Sequence, residues 1–317
     1  MSGVLGPAKI RIGVMPGPWP EGAAGADLLW RLADLCEASA IDSLWLSDRL
    51  LAPTLEPLTA IAAAAARTRR LKFGTAVLVL PFRSPLLAAK TLATLDVLSQ
   101  GRVFPAVGLG LDQRREWEAA GVPAGSRGRR TDEAIEVIRR LWVEDEVTYE
   151  GSYFRLDRVR LMPRTVQTPP PLWVGGTTEA ALRRAGRLSD GWLASLIAPE
   201  AFGRAVERIQ AHAAAAGRAI DADHFGTIIP FVLAPSPAEG WRAAEPYLPR
   251  DRADEATLRA ATAVGPPEAI AATIDRYVAR GGSKFVLRPA GSPAQPDAML
   301  DQLARLAEEV IPGFHAR

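Results

Sequence analysis

Histidine and cysteine are scarce in this chain: among 317 residues there are 3 histidines and 1 cysteine. A single thiol, Cys36, excludes an intramolecular disulfide and a cysteine metal cluster. On its helical face it reads as a small core residue. His212 falls in a helical pattern, His224 precedes a strand and His315 is terminal, so neither a histidine metal site nor a Ser-His-Asp triad is supported. An excess of one charge is missing too. The formal net charge is +2 with acids mixed among the bases, which speaks against nucleic acid as a partner. No apolar run reaches the length of a membrane span, and Met1 to Val14 lacks the long apolar stretch of a signal peptide. No linker divides the sequence. These absences point to a cytoplasmic α/β protein, without metal, acting on small molecules.

What is present is apolar residue in quantity, 48% of the chain, enough for a large core. Strand-like and helix-like runs alternate from end to end. The strands are Ile10–Val14, Ser43–Ser47, Lys72–Val79, Val103–Gly108, Leu172–Val174, Gly191–Ser195, Thr227–Leu233 and Lys284–Leu287. The helical patterns lie near Ala26–Ser39, Glu56–Arg67, Pro85–Leu98, Thr131–Trp142, Glu179–Leu188, Pro199–Ala216, Pro267–Arg280 and Ala298–Val310. Eight such units predict a (β/α)₈ TIM barrel as one domain over residues 1–317. Residues 143–171 read as an insertion between the fourth and fifth units, with a hairpin around Glu150-Gly151. A doubly wound sheet is the alternative, although Gly108-Leu109-Gly110 lacks the third glycine of a dinucleotide fingerprint at Gln113.

A barrel places its active site in the loops after the strands. Those loops offer glycines, hydroxyls, aromatics, Asp48, Asp112 and the arginines 49, 83 and 288, with hardly an acid–base group. That inventory suits a phosphorylated aromatic cofactor that brings its own chemistry. The stretch PLWVGGTTEAAL contains the best candidate for holding it. A strand ends in Gly175-Gly176 and a helix follows, leaving backbone N–H groups for an anion. Thr177 and Thr178 serve as further donors or as helix caps.

The run LKFGTAVLVLPFRSPLLAAKTLATLDVLSQGRVFPAVGLG resembles the luciferase-like superfamily of flavin- and deazaflavin-dependent oxidoreductases. RGRRTDEAIEVIRRLW, YEGSYF, PLWVGG and DGW extend the resemblance over nearly the whole chain. It implies a barrel that binds FMN or coenzyme F420, and a homodimer joined through the helices near the second and third strands. It implies a cis peptide between Ala76 and Val77, in a bulge behind the cofactor ring. Gly175 and Gly176 match the cofactor-phosphate loop, and Ser195 matches a hydroxyl that helps to hold that phosphate. Arg288, at the end of the eighth strand, is either a partner for a phosphate or polyglutamate tail or a solvent-facing residue. Ser99, Gly101 and Arg102 match a motif below the fourth strand that is structural, while Arg127, Arg129 and Arg130 acquire no role.

One departure limits the function. Alcohol and sugar-phosphate dehydrogenases of the F420 branch have a histidine two residues after the serine that ends the second strand. Here the order is Ser47-Asp48-Arg49, and an arginine stays protonated and is no base near neutral pH. Pro53 and Leu111 likewise replace a tryptophan and an acid of the sugar-phosphate enzymes. Asp48 faces the cofactor or pairs with Arg49. The expected activity is therefore hydride transfer from reduced F420, or oxygen insertion with reduced FMN, on a small organic substrate. A non-catalytic flavin-binding barrel is the alternative, and a hydrolytic or metal-dependent barrel comes third.

Overall fold

The computed structural model describes residues 9–111, 113–291 and 295–315. Four parallel strands come first: β1 (Arg11–Val14), β2 (Ser43–Leu46), β3 (Lys72–Val79) and β4 (Val103–Gly108). The antiparallel hairpin of β5 (Val147–Glu150) and β6 (Arg155–Val159) stands apart from them as a separate sheet. Then follow β7 (Trp173–Gly175), β8 (Gly191–Ser195), β9 (Phe225–Leu233), the short β10 (Ala263–Gly265) and β11 (Lys284–Pro289). Strands β1, β2, β3, β4, β7, β8, β9 and β11 pair in that order, and β11 returns to β1, so the sheet closes. Closure removes the doubly wound alternative.

The helices are α1 (Ala23–Ala38), α2 (Pro57–Arg67), α3 (Pro85–Ser99), α4 (Arg114–Ala119), α5 (Arg127–Val143), α6 (Glu179–Leu188), α7 (Pro199–Ala215), α8 (Pro237–Ala244), α9 (Glu255–Ala261), α10 (Pro267–Val278) and α11 (Pro296–Arg305). Local chemistry accounts for their ends. Glu56 caps α2 by accepting from the Thr59 amide at 2.7 Å, and Pro57 needs no acceptor at the first helical position. Helix α3 stops where Gln100 and Gly101 turn left-handed, at φ 58° and 78°. Among the described residues no helix is long and apolar enough to cross a membrane.

The Ser99–Arg102 turn is structural, as its position below β4 implied. The Arg102 guanidinium donates to the carbonyls of Ala65 at 2.9 Å and Leu71 at 2.7 Å, and it lies over the Phe73 ring. It thereby fastens the end of α2 to the start of β3 and β4. Deeper in the barrel, Trp45 and Trp173 meet with ring centroids 6.5 Å apart, above a buried Lys284–Asp42 ion pair. Burial pushes the Lys284 ammonium down to about 8 despite Asp42.

A second insertion was not expected. The sequence pattern ran from the strand ending at Leu233 to the next helix at Pro267 with no element between, but residues 234–266 contain α8, α9 and β10. Strand β10 pairs with Phe231–Leu233 of β9, above the part of β9 that pairs with β8. It raises the barrel rim on that side. The span between β9 and α10 is too long for one βα loop, which was the available signal.

Candidate active site

A cavity of about 570 Å³ opens at the carboxyl ends of the strands. That size is within the range of small-molecule sites. Its floor belongs to β3. The Ala76–Val77 peptide is cis, and the pairing of β3 with β4 slips by one residue between Ala76 and Leu78. Both agree with the sequence expectation. The bulge carries Val77 against two neighbouring strands. A Cβ on Gly108 would approach its side chain to 2.9 Å, and one on Gly175 to 2.6 Å. Both positions therefore require glycine, and the result is an apolar floor of Ala76 and Val77 over the Trp45 and Trp173 cluster.

The Gly175-Gly176 loop forms part of the wall. Gly176 has φ 108°, and a Cβ there would lie 2.9 Å from that of Ala181. The turn into α6 thus excludes any other residue for two independent reasons. Trp192 holds the loop by donating from its indole nitrogen to the Gly176 carbonyl at 2.8 Å. Thr178 is the cap of α6, accepting from the Ala181 amide at 3.3 Å, and it also lines the cavity. Thr177 is exposed at the cavity beside it, and Ser195 lines the cavity from the end of β8. The uncovered amides of a helix's first turn and its positive dipole end make such a loop an anion cradle. Glu179 does not cancel this field, because Arg208 and His212 of α7 pair with it.

Asp48 and Arg49 both line the cavity, but they do not pair with each other. Asp48 is 5% exposed, and one carboxylate oxygen accepts from the Val79 amide at 3.0 Å and from Arg83 at 2.9 Å. Arg49 turns to the α4 segment, donating to Gln113 at 2.7 Å and Glu116 at 3.3 Å. Of the two readings for Asp48, the pair with Arg49 is not formed, because Arg83 follows the β3 bulge and reaches the carboxylate instead. Asp112 lies outside the described residues.

Sequence reasoning did not select three arginines or tyrosines of this cavity that the fold brings in. Arg184 of α6 lines it while bonded to Asp132 and to the Gly128 carbonyl. Tyr247 and Arg252 come from the second insertion, together with Leu248 and Pro249. Arg288 stands on β11, and its Nε is buried without a hydrogen-bond partner. Arg127 and Arg130 stand away from this lining and lie over the rings of Trp117 and Phe154. Among the described residues, the one group with the spacing of metal ligands is Asp221, Asp223 and His224. It sits where β9 begins, at the other end of the barrel, and Arg11 already pairs with Asp223 at 2.9 Å.

Among the described lining residues, the cavity holds no histidine or cysteine, and its acid Asp48 is engaged. It therefore binds and orients better than it transfers protons, as a cofactor-dependent site does.

Comparison with known proteins agrees with this geometry. An uncharacterized protein of Mycobacterium tuberculosis is 37% identical over 158 residues, which cover 50% of this chain and 54% of that protein. An F420-dependent glucose-6-phosphate dehydrogenase of Microbacterium testaceum is 36% identical over 173 residues, covering 50% of this chain and 49% of the relative. The chain thus spans about half the length of the curated relatives it matches. A monooxygenase of Streptomyces bottropensis shares the fold with TM-score 0.83 and 25% identity, over 96% of this chain and 100% of its own. Residues 8–284 match the family model described as luciferase-like monooxygenase, and the chain belongs to that family.

Proposed function

We propose that the protein is an oxidoreductase that holds a flavin-type cofactor, coenzyme F420 or FMN, and acts on a small organic substrate. The observation that carries this reading is the pairing of an apolar floor with an anion cradle in one cavity. The floor is the Ala76–Val77 bulge, and the cradle is Gly175, Gly176 and Thr177 with Ser195 beside them. A planar ring needs the first and a phosphate needs the second, so the residues present fit such a group.

In this reading the α6 amides and the Ser195 hydroxyl would hold the phosphate, and Val77 would support the ring. The bound group supplies two-electron chemistry, to an organic acceptor with F420 or to oxygen with FMN. The protein's own part is alignment. Asp48 accepts from Val79 and Arg83 and so holds the end of β3 in place. Arg49 stays charged and keeps to Gln113 and Glu116, so it orients and does not act as a base.

We also propose a homodimer through α2 and α3. Leu87 and Leu98 of α3 are 66% and 61% exposed although the opposite side of the helix packs on the barrel. A helix that is apolar on both sides favours burial of both.

Separate titrations of the purified protein with F420 and FMN test the cofactor reading. Saturable binding of one of them, one per chain, is expected. If neither saturates, the cofactor-dependent reading fails.

A further inference from the structure

One side of the cavity offers no backbone donor. Met15, Pro16, Gly17 and Pro18, in the loop after β1, line it. Pro16 and Pro18 have no N–H. The Met15 amide donates to the Leu287 carbonyl at 3.0 Å, and the Gly17 amide donates to the Met299 sulfur at 3.2 Å. Each amide of this wall is therefore missing or already engaged. Pro53, Pro230, Pro249 and Pro289 line the same cavity, which makes six prolines among the described lining residues. Proline presents a rigid apolar surface with a carbonyl acceptor and no donor.

The wall stands away from the cradle. In the closed ring of eight strands β1 is four steps from β7 in either direction, so Met15–Pro18 lie across the barrel mouth from Gly175-Gly176. A cofactor anchored at β7 and resting on the β3 bulge leaves the β1 side to a second molecule. The rim there and on the second insertion is apolar as well. Tyr247 lines the cavity half-exposed, and Leu50 and Leu51 are half-exposed between the lining residues Arg49 and Ala52. Apolar side chains left in solvent around a cavity mark a site for an apolar ligand. The nearby charges are engaged, Arg49 with Gln113 and Glu116, and Arg83 with Asp48 and Glu56. A charged or strongly polar group pressed against this wall would lose its water and gain no backbone donor in return.

We propose that the organic substrate is a neutral, apolar ring compound, held by surface contact with Met15–Pro18 and stacked against Tyr247 at the mouth. This rests on the cofactor reading above, and it adds the substrate's chemical class to it. A substrate with a carboxylate is the contrary case, and Arg288, whose buried Nε lacks an acceptor, is where that group would go.

The full chain, saturated with FMN or with F420, is titrated calorimetrically with 1-tetralone, acetophenone and 4-acetylbenzoate. 1-Tetralone is expected to bind at least about fivefold more tightly than acetophenone, because its two additional ring carbons meet an apolar surface. 4-Acetylbenzoate is expected to bind at least about tenfold more weakly than acetophenone, since its carboxylate is desolvated without a donor. Tyr247→Ala is expected to weaken 1-tetralone binding about tenfold, and Tyr247→Phe to stay within about twofold of the parent. Position 247 is half-exposed, so both variants should keep the parent's melting temperature and its cofactor affinity. Equal affinity for the two ketones overturns the proposal, as does saturation by neither of them. Binding of 4-acetylbenzoate as tightly as acetophenone, or more tightly, also overturns it, and so does an unaltered 1-tetralone affinity in Tyr247→Ala. Failure of both cofactors to bind defeats the cofactor reading alone, and the same three titrations on the protein by itself then decide the substrate class.

Discussion

Asp48 and Arg83 meet at 2.9 Å beneath the rim of the cavity, and Glu56 accepts from the same guanidinium at the same distance. This pairing links the loop after β2 to the segment after β3 and to the cap of α2. The shared Asp48 oxygen also receives the Val79 amide at 3.0 Å. Asp48 is therefore a strut behind the floor, although it lines the cavity.

Removing the strut affects stability first. Asp48→Ala leaves the Val79 amide and part of the Arg83 charge without a partner, at a cost of about 2–3 kcal/mol. Asp48→Asn keeps an acceptor and costs less. Thermal melts of the two variants check the order, and a melting temperature unchanged in Asp48→Ala contradicts this account.

The cradle makes two separate predictions. Ser195→Ala deletes one charge-assisted hydrogen bond, typically worth about 1.5–3 kcal/mol, so cofactor affinity drops roughly tenfold or more without loss of fold. In Gly176→Val the added Cβ meets Ala181 at 2.9 Å and φ is 108°. The variant is expected to melt at a lower temperature as well as to bind the cofactor more weakly. Fluorescence titration and thermal melting on both proteins separate the effects; a Gly176→Val protein as stable as the parent counts against the turn described here.

Cys36 is fully buried, and burial pushes its thiol up to about 12 from an ordinary 9.0. A thiol reagent at pH 8 should leave the folded protein unmodified and react only as fast as the chain unfolds. A folded pKa above the unfolded one means that this group's stabilising contribution is complete below pH 9 and disappears as the pH rises toward 12. Stoichiometric labelling of native protein within the time of a control thiol excludes the burial.

The outer face of α3 sets the expected assembly. Wild-type protein should scatter light as a dimer, and the double variant Leu87→Lys, Leu98→Lys as a monomer with an unchanged melting profile at low concentration. A monomeric parent ends the idea.

The barrel was legible in the sequence because its eight closing strands and the helices that follow most of them announce themselves locally. Alternation of β-rich and helix-periodic runs, glycines at helix ends and the hairpin around Glu150-Gly151 depend on neighbours within a few residues. The position of the glycine pair at the cavity was legible for a similar reason, since strand ends and the residues after them line a barrel's mouth by rule, whereas Ser195 was singled out only through family resemblance. The cis bulge at Ala76–Val77 was legible only through family resemblance, because periodicity cannot distinguish it from an ordinary buried strand.

The partners were a matter of tertiary structure. Asp48 lies beside Arg49 in sequence but pairs with Arg83, because consecutive residues point in different directions and the β3 bulge brings a distant chain segment within reach. The second insertion joined the cavity for the same kind of reason. Tyr247 ends a short 3₁₀ helix (Glu245–Tyr247) and Arg252 lies in a turn, both too short to show a periodicity, and the pairing of β10 with the upper part of β9 places their segment at the site. Sequence thus determined the scaffold and which strand ends face the cavity. Three-dimensional packing decided which charges there are matched and left the buried Nε of Arg288 without a hydrogen-bond partner, since pairing depends on distances that local pattern does not contain.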